Sequence, residues 1–124
     1  MQKTIMIDGK AVEFRSTAAI PRLYRIKFGR DVFVDTARVK KAIEAERKRQ
    51  KEDGTDASML PPEALYIFEN LAYIMAKHAD GTSVPDNVEE WFEGFSTFSI
   101  YEVFPQILEL WENNNAQIAI PAKK

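Results

Sequence analysis

Polar and apolar residues alternate along Lys3–Ile7 and Lys10–Arg15, and between these runs stands Asp8-Gly9, a dipeptide suited to the two positive-φ positions of a type I′ turn. A two-residue loop pairs Ile7 with Lys10, Ile5 with Val12 and Lys3 with Phe14, which puts Ile5, Ile7, Val12 and Phe14 on one face. An isolated hairpin is marginal in water, so that face must pack on something. The period then lengthens. Ile20, Leu23, Tyr24, Lys27 and Phe28 recur at helical spacing and predict a helix over about 17–28, capped by Ser16 or Thr17 and stopped by Gly29. A second helix, about 35–51, carries a stripe of Val39, Ala42 and Ile43 that gives out after Ile43. Its remainder is nearly all charge, held by pairs four apart such as Lys40/Glu44 and Glu44/Lys48. Gly54–Leu60 has loop composition, and Pro61-Pro62 opens a third helix through Ala79. There Ala64, Leu65, Phe68, Leu71, Ala72, Met75 and Ala76 follow the 3.6 period, and Tyr66, Ile67, Tyr73 and Ile74 widen the apolar surface. This is the pattern of a central helix touched on more than one side. Asp86 with Glu89, and Ser99 with Glu102, have capping-box spacing and open helices over about 87–95 and 99–112. Pro105 should kink the last helix or delay its start, and Asn113–Asn115 should end it. The expectation is an α+β, mostly α fold: an N-terminal β-hairpin, 3–15, packed on a bundle of four to five helices in a single domain over 1–115, with a flexible tail over 116–124.

A chain of 124 residues suits one domain. Without cysteine it can hold no disulfide, thiolate metal site or cysteine nucleophile, and its single histidine, His78, excludes a His-rich metal cluster. No segment has the length of apolar residues that spans a bilayer, and no leader pattern opens the chain, so a cytoplasmic protein without membrane attachment is expected. His78 lies near a helix C-terminus, where it reads as a charge complement to the dipole rather than a catalytic base. Glu89, Glu90 and Glu93 share one short helix and read as capping and solvation, not as converging carboxylates. With no nucleophile elbow and no phosphate-binding loop, neither an enzyme nor a cofactor is expected.

The net charge of −2 hides a division. Residues 1–53 carry 14 Lys/Arg against 8 Asp/Glu, a net of +6, whereas residues 54–124 carry 3 against 11, a net of −8. The basic residues Arg38, Lys41, Arg47, Lys48 and Arg49 gather on the second helix and are candidates for self-association or polyanion contact. Four interleaved acids and the lack of stacking aromatics there favour a solvated helix over nucleic-acid binding. In the acidic part, seven aromatics fall between Trp91 and Trp111. Most should be core. The excess makes Trp91, Phe92, Phe95, Phe98, Tyr101 and Trp111 the candidates for a protein-binding surface.

The run Phe68-Glu-Asn-Leu-Ala-Tyr-Ile-Met-Ala-Lys77, then Ala79-Asp80, Pro85, Glu89-Glu-Trp91, Phe95, Ile100-Tyr-Glu-Val103, Pro105 and Leu110-Trp111, resembles the tail assembly chaperones of long-tailed phages and prophages of Gram-positive bacteria. The hairpin followed by Leu23-Tyr-Arg-Ile-Lys-Phe-Gly-Arg-Asp31 is similar to the same proteins. The resemblance covers most of residues 3–112 and implies a protein of the host cytoplasm that coats the tape measure protein and keeps it soluble. Such chaperones are displaced as the tail tube polymerises and are absent from the virion. The resemblance also implies, in many relatives, a frameshifted longer form that contacts the major tail (tube) protein; homo-oligomers are expected from the charge division, the basic half of one copy meeting the acidic half of the next head-to-tail. Lys123-Lys124 could be encoded by a slippery adenine run, which the codons would decide. Two other classes fit the same residues: a small prophage-encoded nucleic-acid-binding regulator and a structural virion component such as a head–tail connector.

Overall fold

A computed structural model describes residues 1–53 and 60–118, with side chains described for all of these except Asp53 and 114–118. The order is β1 (Gln2–Ile7), β2 (Lys10–Arg15), α1 (Ile20–Phe28), α2 (Val32–Asp53), α3 (Pro62–Ala79), α4 (Val88–Glu93) and α5 (Ile100–Ile118). An N-terminal antiparallel hairpin followed by five helices is an α+β, mostly α fold. Asp8 and Gly9 both take positive φ, 54° and 74°, as a type I′ turn requires, and the register pairs Ile5 with Val12 and Lys3 with Phe14.

The hairpin's inner face supplies Ile5, Ile7 and Phe14 to the core. That core is built around α3, in which Leu71 to Ala76 are buried without interruption. β2, α1, α2, α4 and α5 pack on this helix, and β1 lies against β2 and α5. Pro61, in extended conformation, leads into Pro62 at the first helical position, where a missing N–H costs nothing.

Several helix ends differ from the sequence-based expectation. Thr17 does not cap α1: its Oγ1 accepts from the Ala19 N–H in a local turn, the helix begins at Ile20, and Ser16 Oγ is buried without a hydrogen-bond partner among the described residues. Gly29, at φ 66°, does close the helix, its N–H donating to the Arg25 carbonyl. α2 begins three residues earlier than expected, because Asp31 Oδ1 accepts from the N–H groups of Phe33 and Val34 and so caps it, while Val32 turns into the core. The cap of α4 is shifted by one residue. Asn87 Oδ1 accepts from the Glu90 N–H and Asn87 Nδ2 donates to Glu90 Oε1, so Asn87 and Glu90 take the roles expected of Asp86 and Glu89. The helix ends at Glu93, with Gly94 following. α5 starts at Ile100 despite Pro105, and it runs through Asn113–Asn115 to Ile118. Asparagine in a helix costs only about 0.7 kcal/mol per residue, too little to end one by itself. The expected tail therefore begins inside a helix, and its last part, 119–124, lies outside the described residues, as does most of the expected loop, 54–59.

His78 is also not the dipole complement expected. Its Nε2 lies 2.8 Å from Thr17 Oγ1, tying the end of α3 to the strand–helix junction. Burial, with help from the positive charge of Arg15, pushes its pKa down and so disfavours the charged ring.

One buried carboxylate joins α1 to α2. Asp35, 2% exposed, accepts from the Tyr24 hydroxyl at 2.8 Å and from Arg30 Nε and Nη2 at 2.7 and 2.8 Å. Burial would raise the Asp35 pKa, but the hydrogen bonds from Arg30 and Tyr24 outweigh it and hold the carboxyl below its ordinary value. A carboxylate with a depressed folded pKa stabilises the fold above the unfolded value, and that contribution disappears as pH falls through the folded value. Asp35→Asn should therefore lower the unfolding free energy by about 1–3 kcal/mol at neutral pH. In urea titrations, the gap between variant and parent should close as the pH is taken below about 4.

Candidate protein-binding surface

α2 and α5 both rest on α3. Phe33 at the start of α2 meets Trp111 late in α5, with ring centroids 5.4 Å apart, and Lys40 Nζ pairs with Glu112 at 2.7 Å. Beneath them Thr36, Val39, Ile67, Phe68, Leu71 and Ile107 close the space between the three helices. Phe68 stacks on Phe104 at 4.7 Å and carries the interlock from α3 to α5. Beyond Val39 the helices part. Ile43, Leu60, Phe104, Pro105 and Leu108, with Tyr101 at the mouth, line an open groove of about 610 Å³.

The groove has a charged rim. Arg47 stands on the α2 side and Glu109 on the α5 side, and neither makes a hydrogen bond or ion pair among the described residues. Glu46, also on the α2 side, is held by Arg49 through bonds of 3.0 and 2.6 Å. Pro105 has no N–H to offer the Tyr101 carbonyl one turn back.

The expected aromatic surface is distributed differently. Trp91, 5% exposed, is a hub: Phe14, Tyr73, Phe92, Phe95 and Phe98 surround it with centroids 4.9 to 6.2 Å away, all in edge-on arrangements. Phe92, Phe95 and Phe98 are half-buried in this cluster, and Trp111 is buried under Phe33. Trp91 and Trp111 are therefore core residues and cannot anchor a partner. Of the six candidates, only Tyr101 is largely exposed, at 49%, and it belongs to the groove.

Nor do the basic candidates converge. Arg38 pairs with Glu63 of α3 at 3.6 Å and Arg49 with Glu46, while Lys41 and Lys48 are exposed on α2 away from the groove lining. Only Arg47 faces the groove. The positive helix thus lies against acidic α3 and α5 within one copy, so part of the charge division is satisfied internally rather than kept for a neighbour.

Groove residues Leu60, Phe104, Leu108 and Glu109 were not legible as a site. Their only signal was the loss of the α2 stripe after Ile43, which leaves apolar residues of another helix without cover. Among the described residues no three His, Cys, Asp or Glu side chains are placed to hold a metal ion, and no helix is long and apolar enough to cross a membrane. Comparison with protein-family models, curated proteins and solved structures finds no match to the chain.

The two kinds of aromatic separate in stability measurements. Trp91→Ala should cost about 3–5 kcal/mol by emptying the hub. Tyr101→Ala should stay within about 0.5 kcal/mol of the parent in the same thermal or urea unfolding experiment.

Proposed function

We propose that this chain is a phage tail assembly chaperone that covers the tape measure protein and keeps it soluble in the host cytoplasm until the tail tube polymerises. Two things support the reading: the resemblance carried by residues 68–111, and the α2–α5 groove, which is the observation the mechanism rests on. The occupant is an amphipathic helix of the tape measure protein. Such a helix is about 10 Å across, lays an apolar ridge along a groove of this kind, and would otherwise aggregate through that ridge.

The rim selects the pattern of the helix. A helix with acidic residues along one flank and basic residues along the other meets Arg47 and Glu109 together. Because the groove is open, each copy makes a modest contact. Many copies side by side bind through avidity, and each still detaches readily when tube subunits displace it.

Co-expression of the chain with the tape measure protein of the same genome tests this. The parent chain should keep the tape measure protein in the soluble fraction and co-purify with it. Tyr101→Glu and the double variant Arg47→Glu, Glu109→Lys should each weaken binding about tenfold or more while retaining the parent's circular dichroism. A tape measure protein that stays insoluble with the parent chain, or binds the groove variants as well as the parent, overturns the reading. So does recovery of the chain in purified virions, which would make it a structural component.

A further inference from the structure

The sheet has two strands, and no third strand extends it among the described residues. At its open end Met1 and Ser16 exchange backbone hydrogen bonds of 2.8 Å. Bonded and non-bonded pairs alternate along an antiparallel ladder, so the bonded pairs are Lys3/Phe14, Ile5/Val12 and Ile7/Lys10. The N–H and C=O groups of Gln2, Thr4 and Met6 then point away from the hairpin on one edge, and those of Ala11, Glu13 and Arg15 on the other. None of these outward groups has a hydrogen-bond partner among the described residues. Among the described residues both edges are therefore without a main-chain partner, and α5 packs against β1.

The two edges differ in chemistry. The β2 edge carries the charged Glu13 and Arg15, whereas the β1 edge carries Gln2, Thr4 and Met6, uncharged and exposed, with Met6 64% accessible. β1 has neither a proline nor a bulge, two of the usual devices that keep an edge from pairing. It is also compatible with itself. In an antiparallel pairing centred on Thr4, Thr4 meets the partner's Thr4, Gln2 meets the partner's Met6, and Lys3 stands opposite the partner's Ile5. No like charges face each other, and every outward N–H and C=O of the three residues finds a counterpart.

We propose that β1 is an association edge for a second copy of this chain, giving a four-stranded sheet continuous across a two-fold axis at Thr4. The assembly is held by main-chain hydrogen bonds, so it does not depend on the basic and acidic parts of the sequence and resists salt. It is separate from the helix-binding groove.

Analytical ultracentrifugation of the full chain at about 0.1 and 1 M salt tests the proposal. The parent should show a concentration-dependent dimer at both. Thr4→Pro removes an outward N–H together with the hydroxyl bond to Glu13 and should give a monomer, whereas Glu13→Pro, which loses that same side-chain bond but changes the other edge, should leave the dimer in place. Thr4→Lys guards against a loss of folding, since it places an ammonium beside Glu13 on an exposed position while setting two like charges together at the axis. Its dimer should be lost at low salt and return at high salt. A parent that is monomeric at every concentration, a dimer that dissolves as salt rises, or Thr4 variants that dimerise like the parent would each overturn the proposal.

Discussion

Six consecutive residues of α3, Leu71 to Ala76, are buried, which is more than one and a half turns of helix with no side open to water. The other elements follow from this constraint. A helix with one apolar stripe can be covered by one neighbour, but a helix buried all round must be enclosed. The hairpin and the remaining four helices form that enclosure. Ala72 and Ala76 let the covering backbones come close, and Tyr73, Met75 and Ile74 fill the larger gaps.

Apolar cover is non-directional, so single polar contacts fix how each element lies. Asp35 sets the angle between α1 and α2 through Arg30 and Tyr24. Lys77 Nζ donates to the carbonyls of Gly81 and Val84 and pairs with Asp86, so one ammonium folds the whole turn between α3 and α4. The Tyr73 hydroxyl adds a bond to the Pro85 carbonyl. At the hairpin tip Asp8 accepts from the Ser96 N–H, and Lys10 donates to the Gly94 carbonyl across the face of Phe95. These contacts lock the segment between α4 and α5 over the Trp91 hub.

Most of this fold could be read from the chain because its strongest signals are local. Asp8-Gly9 determines a register whatever lies beneath it, and Pro62 and Gly29 act on their own backbone. Features decided at a distance were harder to read. The cap of α4 went to Asn87 rather than Asp86, because Asp86 is engaged by Lys77. His78 looked like a cation beside a helix end, but burial pushes its pKa down and its ring meets Thr17, sixty-one residues away. The aromatic surplus near the C-terminus overstated the binding surface for the same reason: a sequence count of rings cannot show that three of them surround one tryptophan.

The groove has a simpler origin, in two apolar stripes of unequal length. On α2 the stripe stops at Ile43, but a charged stretch carries the helix ten residues further, with Lys40 paired to Glu112 and Glu46 to Arg49 rather than in the four-apart pairs expected. On α5 the apolar side chains begin at Ile100 and continue through Phe104 and Leu108, opposite that polar extension. Had α2 stayed apolar to its end, its side chains would have closed onto Phe104 and Leu108, and the three-helix packing seen at Val39, Phe68 and Ile107 would have continued to the tip. Had it ended at Ile43, those residues would stand on an open face with no second wall. The concavity exists because helix length and hydrophobic length disagree, and the charged residues that make α2 look like a solvated spacer are what keep one wall of the groove standing.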